Sequence, residues 1–172
     1  MTCLNPNRAA VQALFIAAGY KPLVAMAYWI YVTNSENWRI TKKENILGAS
    51  VRYKSVLSKV KKGDRCFIYV KSGRTDEGKV KSKIVGEYEV ASTVFEDSKI
   101  LFKAPPKKED ETFKLRIKLK PIKIYENPID FKPLVQKLAF IKNKKHWALH
   151  FMGRAILEIP EGDCELIGSL RH

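Results

Sequence analysis

Cysteine and histidine are scarce in this chain of 172 residues. Its three cysteines, Cys3, Cys66 and Cys164, lie far apart and form no CxxC pair. An odd number of dispersed cysteines argues against a disulfide framework and favours a reducing, cytoplasmic setting. The three histidines are at positions 146, 150 and 172, so a Cys/His zinc cluster would have to draw its ligands from remote parts of the chain. We therefore predict a protein without bound metal.

Motifs that accompany bond-making chemistry are absent as well. The polar loop at residues 71–82 contains glycine but lacks the GxxxxGKS or GxxxxGKT spacing of a phosphate-binding P-loop, and its composition is typical of a hairpin tip. No nucleophile elbow or metal-binding motif occurs. The apolar run at residues 9–18 is too short to cross a membrane. We therefore expect a non-catalytic protein that needs no cofactor and has no membrane partner.

Residues 1–26 differ from the remainder of the chain. They contain two basic residues and no acidic one, and a glycine and a proline end their apolar run. We interpret them as an extension in front of the domain, either poorly ordered or packed as a short helix. A secretory signal cleaved after residues 25–27 is the alternative, although the Lys-Pro pair at residues 21–22 interrupts the approach to that point.

Basic residues outnumber acidic ones by a wide margin. There are 32 Lys and Arg against 18 Asp and Glu, which gives +14, and residues 27–172 carry +12 of this charge. A basic surface on the folded part attracts phosphate backbones, and such binding weakens steeply with salt. The other interpretation is solubility in a lysine-rich, thermophilic proteome, with which the presence of only two glutamines agrees. We favour a nucleic acid as the partner.

The stretch at residues 28–38 combines a strand with the start of a helix. Aromatic and β-branched residues at 28–33 predict a buried strand. The side-chain oxygen of Asn34 can then accept a hydrogen bond from a free amide of a helix at residues 36–43. Trp38 falls in the first turn of that helix, so a large ring lies beside a polar corner and a planar group could stack there.

The remaining elements are predicted from similar patterns. They are a turn at residues 45–49, a short helix at 53–60, a Gly-Asp turn at 61–64, strands at 65–70 and 84–93, a surface excursion at 95–112, a turn at 127–128, a helix at 131–138, a basic loop at 142–145 and a last helix from Pro160. Leu134, Val135 and Leu138 would form the buried stripe of the helix at 131–138. Gly86 indicates a bulge or a close backbone approach.

Apolar and basic residues alternate in residues 113–120, which predicts a strand with one face on the core. The other face carries four basic side chains: Lys114, Arg116, Lys118 and Lys120. This row either contacts phosphates or is a solvated face whose charge resists edge pairing. Further candidates for phosphate contact lie beside the predicted turns: Lys61, Lys62, Arg65, Lys144 and Lys145.

Several segments, in this order and spacing, resemble the EVE domain. They are Tyr28-Trp29-Ile30, residues 34–38, residues 60–64 with Phe67-Ile68-Tyr69, Ile84-Val85-Gly86, and residues 141–147 continuing to 151–153. The resemblance extends from about Ala27 to the C-terminus and implies a single α+β domain over residues 27–172. The implied fold is a PUA-like mixed β pseudo-barrel flanked by short helices, similar to the YTH readers of methylated adenosine in RNA.

The resemblance also implies where a base would bind. YTH-type relatives hold a methylated base in an aromatic cage, and the positions carried over to this chain are Asn34, Trp38, Leu47, Gly48, Ala49, Ser50, Lys71, Ser72, Trp147 and His150. Related chains often have Trp where this chain has Leu47, so we expect one or two rings and an aliphatic wall. Trp38 and Trp147 would hold the base between them, unless either ring belongs to the core, as we expect of Trp29.

We thus expect a nucleic-acid-binding module that reads a modified base, with RNA preferred to DNA. A small-molecule or nucleotide sensor that uses the same pocket is the alternative, and a basic assembly protein with a filled pocket is the third hypothesis. Salt dependence separates a polymer from a small ligand, because only a polymer releases many counterions when it binds.

Overall fold

The computed structural model describes residues 25–170, so the interpretation of residues 1–26 as an extension or a signal lies almost wholly outside the described residues. The strands are β1 (Tyr28–Thr33), β2 (Ile46–Ala49), β3 (Arg65–Val70), β4 (Gly73–Thr75), β5 (Gly78–Val80), β6 (Lys83–Val90), β7 (Phe95–Glu96), β8 (Leu115–Asp130) and β9 (Ile156–Ile159). The helices are α1 (Ser35–Glu44), α2 (Lys54–Leu57) and α3 (Glu161–Ser169), with 3-10 turns at Val51–Tyr53, Lys132–Leu134 and Trp147–His150. None of the helices described between residues 25 and 170 is long and apolar enough to span a bilayer.

The main sheet is mixed, with the strand order β2-β8-β6-β3-β1-β9 and β7 added to β8. β1 and β3 are parallel, while β9 pairs antiparallel with β1. The sheet curls so far that β1 contacts β2, which is remote from it in the strand order. The hydroxyl of Tyr31 in β1 donates to the carbonyl of Gly48 in β2 at 2.8 Å. The sheet thus forms a half-barrel, and the predicted mixed β pseudo-barrel with short flanking helices is confirmed.

Two apolar clusters lie on the two faces of the β1–β3 pair. One fills the half-barrel and includes Trp29, Leu47 and Tyr88. The other lies under residues 131–141 and α3 and includes Phe67 and Phe131. The expected core role of Trp29 is confirmed, because the side chain is 2% exposed and its indole nitrogen donates to Asp64 at 2.8 Å.

Three predicted segments differ from the structure. Residues 45–49 were expected to form a turn, but Asn45 alone turns the chain in the left-handed region (φ 51°), and β2 begins at once and pairs with β8. β8 continues through Asn127-Pro128 instead of ending there. Its prolines have no amide N–H to donate, and they lie where the β6–β8 register shifts, so the ladder loses no regular hydrogen bond. Residues 131–138 form only a 3-10 turn, although Leu134, Val135 and Leu138 are buried as predicted.

The strand β9 was not predicted from its residues, whereas the close backbone approach at Gly86 is confirmed. A Cβ atom at Gly86 would lie 3.0 Å from the carbonyl oxygen of Lys123 on the neighbouring strand. The register of β6 against β8 shifts at the same place. A side chain at this position would push β8 away, so the small residue is required by the sheet.

Candidate functional site

A cavity of about 490 Å³ opens at the carboxyl ends of β1 and β3. Because these strands are parallel, the residues that follow them, Asn34 after β1 and Lys71 and Ser72 after β3, meet at one edge of the sheet. Gly48 and Ala49 of β2 form a second wall, and residues 151–155, in front of β9, form a third. The site therefore results from the order in which the strands are placed.

Aromatic rings dominate the apolar part of this cavity. The rings in its lining are Tyr31, Tyr53, Tyr69, Phe113, Trp147 and Phe151. Tyr69 and Phe151 are stacked, with centroids 4.2 Å apart and planes 15° apart. Trp147 is half-buried, and its ring centroid lies 5.5 Å from that of Phe131. The expectation of one or two rings is thus too low, because rings from the half-barrel and from residues 147–151 converge here.

The charges of the cavity all have one sign. Its lining contains four basic residues, Arg52, Lys71, Lys103 and Arg154, and no acidic residue. Lys103 reaches outwards to Glu36, whose hydrogen bond at 2.9 Å raises the pKa of this lysine. The cavity thus combines flat apolar surfaces with a basic rim, which suits a planar ligand attached to an anion.

The side chain of Asn37 holds one wall of the cavity in place. Its carboxamide donates to the carbonyl of Lys103 at 3.1 Å and accepts from the amide of the same residue at 2.8 Å. Asn34 caps α1 as predicted, since its side chain accepts a hydrogen bond from the Asn37 amide at 2.8 Å. The two hydrogen bonds of Asn37 hold the surface excursion (residues 95–112) at the cavity, where its Lys103 and Pro105 join the lining.

Tyr31 and Tyr69 keep their protons over the ordinary pH range. Burial raises the pKa of Tyr31 to about 12, and its hydroxyl is occupied by the backbone of Gly48. Burial likewise raises the pKa of Tyr69 to about 12. Within residues 25–170, no group of three or more His, Cys, Asp or Glu side chains could hold a metal ion, and the expected absence of metal stays a prediction.

Six of the ten positions proposed for the base pocket line this cavity: Asn34, Gly48, Ala49, Lys71, Ser72 and Trp147. Leu47 does not line it, because it is fully buried in the half-barrel. Ser50 is buried outside the lining, and His150 accepts a hydrogen bond from the Asn143 amide at 3.3 Å. What these positions bind stays a prediction.

The expected meeting of Trp38 with Trp147 is wrong. Trp38 lines a separate groove of about 340 Å³, and its ring packs edge-on against Tyr88 at 6.3 Å inside the half-barrel. The first turn of α1 packs this ring against the cluster inside the curled sheet, and its groove shares no lining residue with the main cavity. A base in the main cavity would therefore contact Trp147 without contacting Trp38.

Three of the residues proposed for phosphate contact have structural partners instead. Arg116 is 0% exposed, because the surface excursion covers its face of β8, and it donates to the carbonyl of Lys99 at 2.8 Å and lies 4.7 Å from the ring centroid of Phe102. Burial lowers the pKa of Arg116. Lys144 donates to two backbone carbonyls, those of Val135 and Leu138. Arg65 pairs with the buried Glu87 at 3.2 Å.

The other proposed phosphate contacts have exposed side chains: Lys61, Lys62, Lys114, Lys118, Lys120 and Lys145. None of these six lines the main cavity, and their role stays a prediction. The lining residues that the sequence did not single out include Tyr53, Phe113, Phe151 and Arg154. Phe151 and Gly153 belong to a segment that resembles the EVE domain, and this resemblance was the one signal in the sequence for the wall at residues 151–155.

Comparison with known proteins identifies the family of this chain. A family model described as the EVE domain matches residues 27–170. The chain belongs to the EVE domain family. A UPF0310 protein of Pyrococcus horikoshii is 48% identical over 146 residues, covering 84% of this chain and 99% of that protein. One of Saccharolobus solfataricus is 28% identical over 146 residues, covering 83% and 93%.

Solved structures with the same fold are remote in sequence from this EVE domain. Human THYN1, in complex with DNA that contains 5-methylcytosine, superposes with a TM-score of 0.54 at 11% identity, covering 85% of this chain and 98% of that one. The YTH domain of Zygosaccharomyces rouxii MRB1, in complex with N6-methyladenosine RNA, gives 0.53 at 16% identity, covering 86% and 87%. These likenesses confirm the predicted PUA-like α+β fold.

Proposed function

We propose that this EVE domain is a non-catalytic nucleic-acid-binding module that holds one base, a modified one, in the cavity at the carboxyl ends of β1 and β3. The observation that carries the proposal is the joint presence of six aromatic rings, four basic residues and no acidic residue in one lining. A nucleotide has the matching parts, since its base is flat and apolar and its phosphate is an anion.

The rings supply the surface on which a base would stack. In other proteins, replacing such a ring by alanine weakens binding by about 1–3 kcal/mol for each stacked base. A base can enter a cavity of this kind only when it has been turned out of its own stack, and an extruded base is then recognised by ring faces and polar groups. Two proteins with this fold were solved with methylated nucleic acids, N6-methyladenosine RNA and 5-methylcytosine DNA, which supports a modified base.

The basic rim supplies contacts to the backbone of a polymer. Lys71 and Arg154 lie at the cavity, and neither forms a salt bridge among the described residues. Contacts to phosphate fix the position of a strand without reading its sequence. We propose RNA as the preferred polymer, because unpaired bases that can enter a pocket are the usual targets of sequence-selective RNA binding.

Nucleic acid that co-purifies with the protein tests this proposal directly. It would be digested and its nucleosides identified by mass spectrometry, with the Trp147→Ala variant purified in parallel. We expect one modified nucleoside to be enriched with the wild-type protein and to be lost with the variant. Trp38→Ala is the matched control, because this ring lies in the other groove and should leave the enrichment unchanged.

Salt dependence then separates a polymer from a free nucleotide. The affinity for a single strand of about nine nucleotides carrying the enriched nucleoside would be measured as RNA and as DNA at several salt concentrations. We expect the logarithm of the affinity to fall linearly with the logarithm of the salt concentration. A flat salt response would point to the alternative, a small-molecule or nucleotide sensor, and no binding of either polymer at low salt would contradict the proposal.

A further inference from the structure

A second cavity, of about 730 Å³, meets the first at two residues, Ser72 and Trp147, which line both. Beyond this boundary, its walls come from the segment in front of β6 and from the 3-10 turn that begins at Lys132. A ligand that fills the first cavity and continues past Trp147 would therefore enter the second without leaving the surface of the protein.

The boundary between the cavities is held firmly. The ring centroid of Trp147 lies 5.5 Å from that of Phe131 and 6.2 Å from that of Phe151, and both of these rings are buried. Tyr69 lines the first cavity, and its ring centroid lies 4.8 Å from that of Phe131. The backbone carbonyl of Ser82, which lines the second cavity, accepts a hydrogen bond from the backbone amide of Phe131 at 3.0 Å. Trp147 is thus part of a connected wall rather than a loose side chain.

The chemistry of the second cavity differs from that of the first. It contains two exposed lysines, Lys81 and Lys132, one acidic residue, Asp130, and Pro133, while Trp147 is its one aromatic ring. The ring and the two lysines are groups that suit a nucleotide whatever its base. They can give a neighbouring base a surface for stacking and give its phosphate a cation.

We propose that the second cavity binds the nucleotide next to the base held in the first, with that nucleotide stacked at Trp147 and its phosphate contacted by Lys81 and Lys132. The inference rests on the proposed function and adds the path of the strand and the contribution of its neighbouring nucleotide. It makes Trp147 the ring shared by two consecutive nucleotides. The second cavity should therefore strengthen the binding of an oligonucleotide without affecting the choice of base.

The test compares the Lys81→Ala/Lys132→Ala variant with the matched control Lys79→Ala/Lys137→Ala. The control lysines are exposed and line neither cavity. Two probes are used, the modified nucleoside by itself and the single-stranded RNA that contains it. If no modified nucleoside is enriched on the protein, N6-methyladenosine and 5-methylcytidine serve as probes.

We expect the test variant to bind the nucleoside as the wild type does and to bind the RNA about tenfold more weakly, with a salt slope smaller by about 1.4 for two lost phosphate contacts. The control should match the wild type with both probes. The inference is overturned if the test variant keeps the wild-type RNA affinity and slope, if it loses nucleoside and RNA binding equally, or if the control loses as much. Failure of the proposed function looks different, since the wild-type protein would then bind neither probe.

Discussion

At the amino-terminal ends of β1 and β3, one buried carboxylate, that of Asp64, accepts hydrogen bonds from the Trp29 indole and from two backbone amides at 2.8 to 3.1 Å. At the carboxyl-terminal ends, the same two strands border a cavity with four basic residues and no acidic one. Trp29 is 2% exposed and has a hydrogen-bonded indole, whereas Trp147 is half-buried between two cavities.

The difference between the two ends shows what each can do. A buried charge whose donors are all within the protein stabilises the fold and leaves nothing for a ligand. At the cavity, Lys103 pairs with Glu36, whereas Lys71, Arg154 and the ring faces keep their interactions available for a ligand. We therefore expect substitutions at the amino-terminal end to affect stability and substitutions at the carboxyl-terminal end to affect binding.

The largest effect is expected from Asp64→Ala. The substitution removes three hydrogen bonds to a carboxylate, one from the buried Trp29 indole and two from part-buried backbone amides, and we expect the free energy of unfolding to fall by about 3–5 kcal/mol. Urea denaturation would measure the loss, with Asp76→Ala in the exposed β4–β5 turn as the control. A loss below about 1 kcal/mol, the net value of an ordinary hydrogen bond, would show that Asp64 does not hold this end together.

Alkaline pH should destabilise the protein through Tyr31. Because burial raises its pKa to about 12, above the ordinary value of about 10, the folded protein retains this proton more firmly than the unfolded chain. The resulting stability is complete below about pH 10 and is lost as the pH rises towards 12.

Tyr31→Phe removes this titration. Its stability curve should fall less steeply than that of the wild type between about pH 10 and 12, by up to about 1.4 kcal/mol per pH unit. Unfolding in urea at several pH values would measure both slopes. Equal slopes for the two proteins would contradict the assignment of this pH dependence to Tyr31.

Trp147→Ala and Trp38→Ala should separate binding from stability. We expect the first to weaken binding of the modified single strand by about 1–3 kcal/mol, the range for one lost stacked base. The second should leave affinity unchanged and reduce stability, because the Trp38 ring packs on Tyr88. Titration calorimetry and thermal unfolding of both variants would decide, and equal losses of affinity would mean that the two grooves cooperate.

The smallest effect is expected in the salt dependence. Lys71→Ala with Arg154→Ala removes two cations at the cavity and should reduce the salt slope by about 1.4. Lys61→Ala with Lys62→Ala removes two exposed cations at the opposite end of β3 and should leave the slope unchanged. A larger loss of slope in the Lys61/Lys62 variant than in the Lys71/Arg154 variant would show that phosphates contact the amino-terminal end, as the sequence alone had suggested for Lys61 and Lys62.

Local patterns predicted much of the fold because strands and caps depend on neighbouring residues. β1, β3, the Asn34 cap of α1 and the buried stripe at Leu134, Val135 and Leu138 were found in this way. Alternation also placed Arg116 on the correct face of β8. It could not show that residues 99–102, distant in sequence, cover that face and bury the guanidinium.

The cavity was harder to predict because its walls come from segments far apart in the chain. The resemblance to the EVE domain supplied Trp147 and the residues after β1 and β3, but Trp38 was paired with Trp147 from chain order alone. Which way the first turn of α1 faces depends on the curl of the sheet, which brings β1 into contact with β2 through Tyr31 and Gly48.

The indole N–H signals of the three tryptophans offer the most direct test of the central claim that a base enters the cavity beside Trp147. Each indole gives one resonance in a ¹H–¹⁵N NMR spectrum, and the modified single-stranded RNA would be titrated into labelled protein. We predict that the Trp147 signal shifts most, that the Trp38 signal moves little, and that the Trp29 signal, held by Asp64, stays in place. Shifts of Trp38 or Trp29 with an unmoved Trp147 signal would contradict the account.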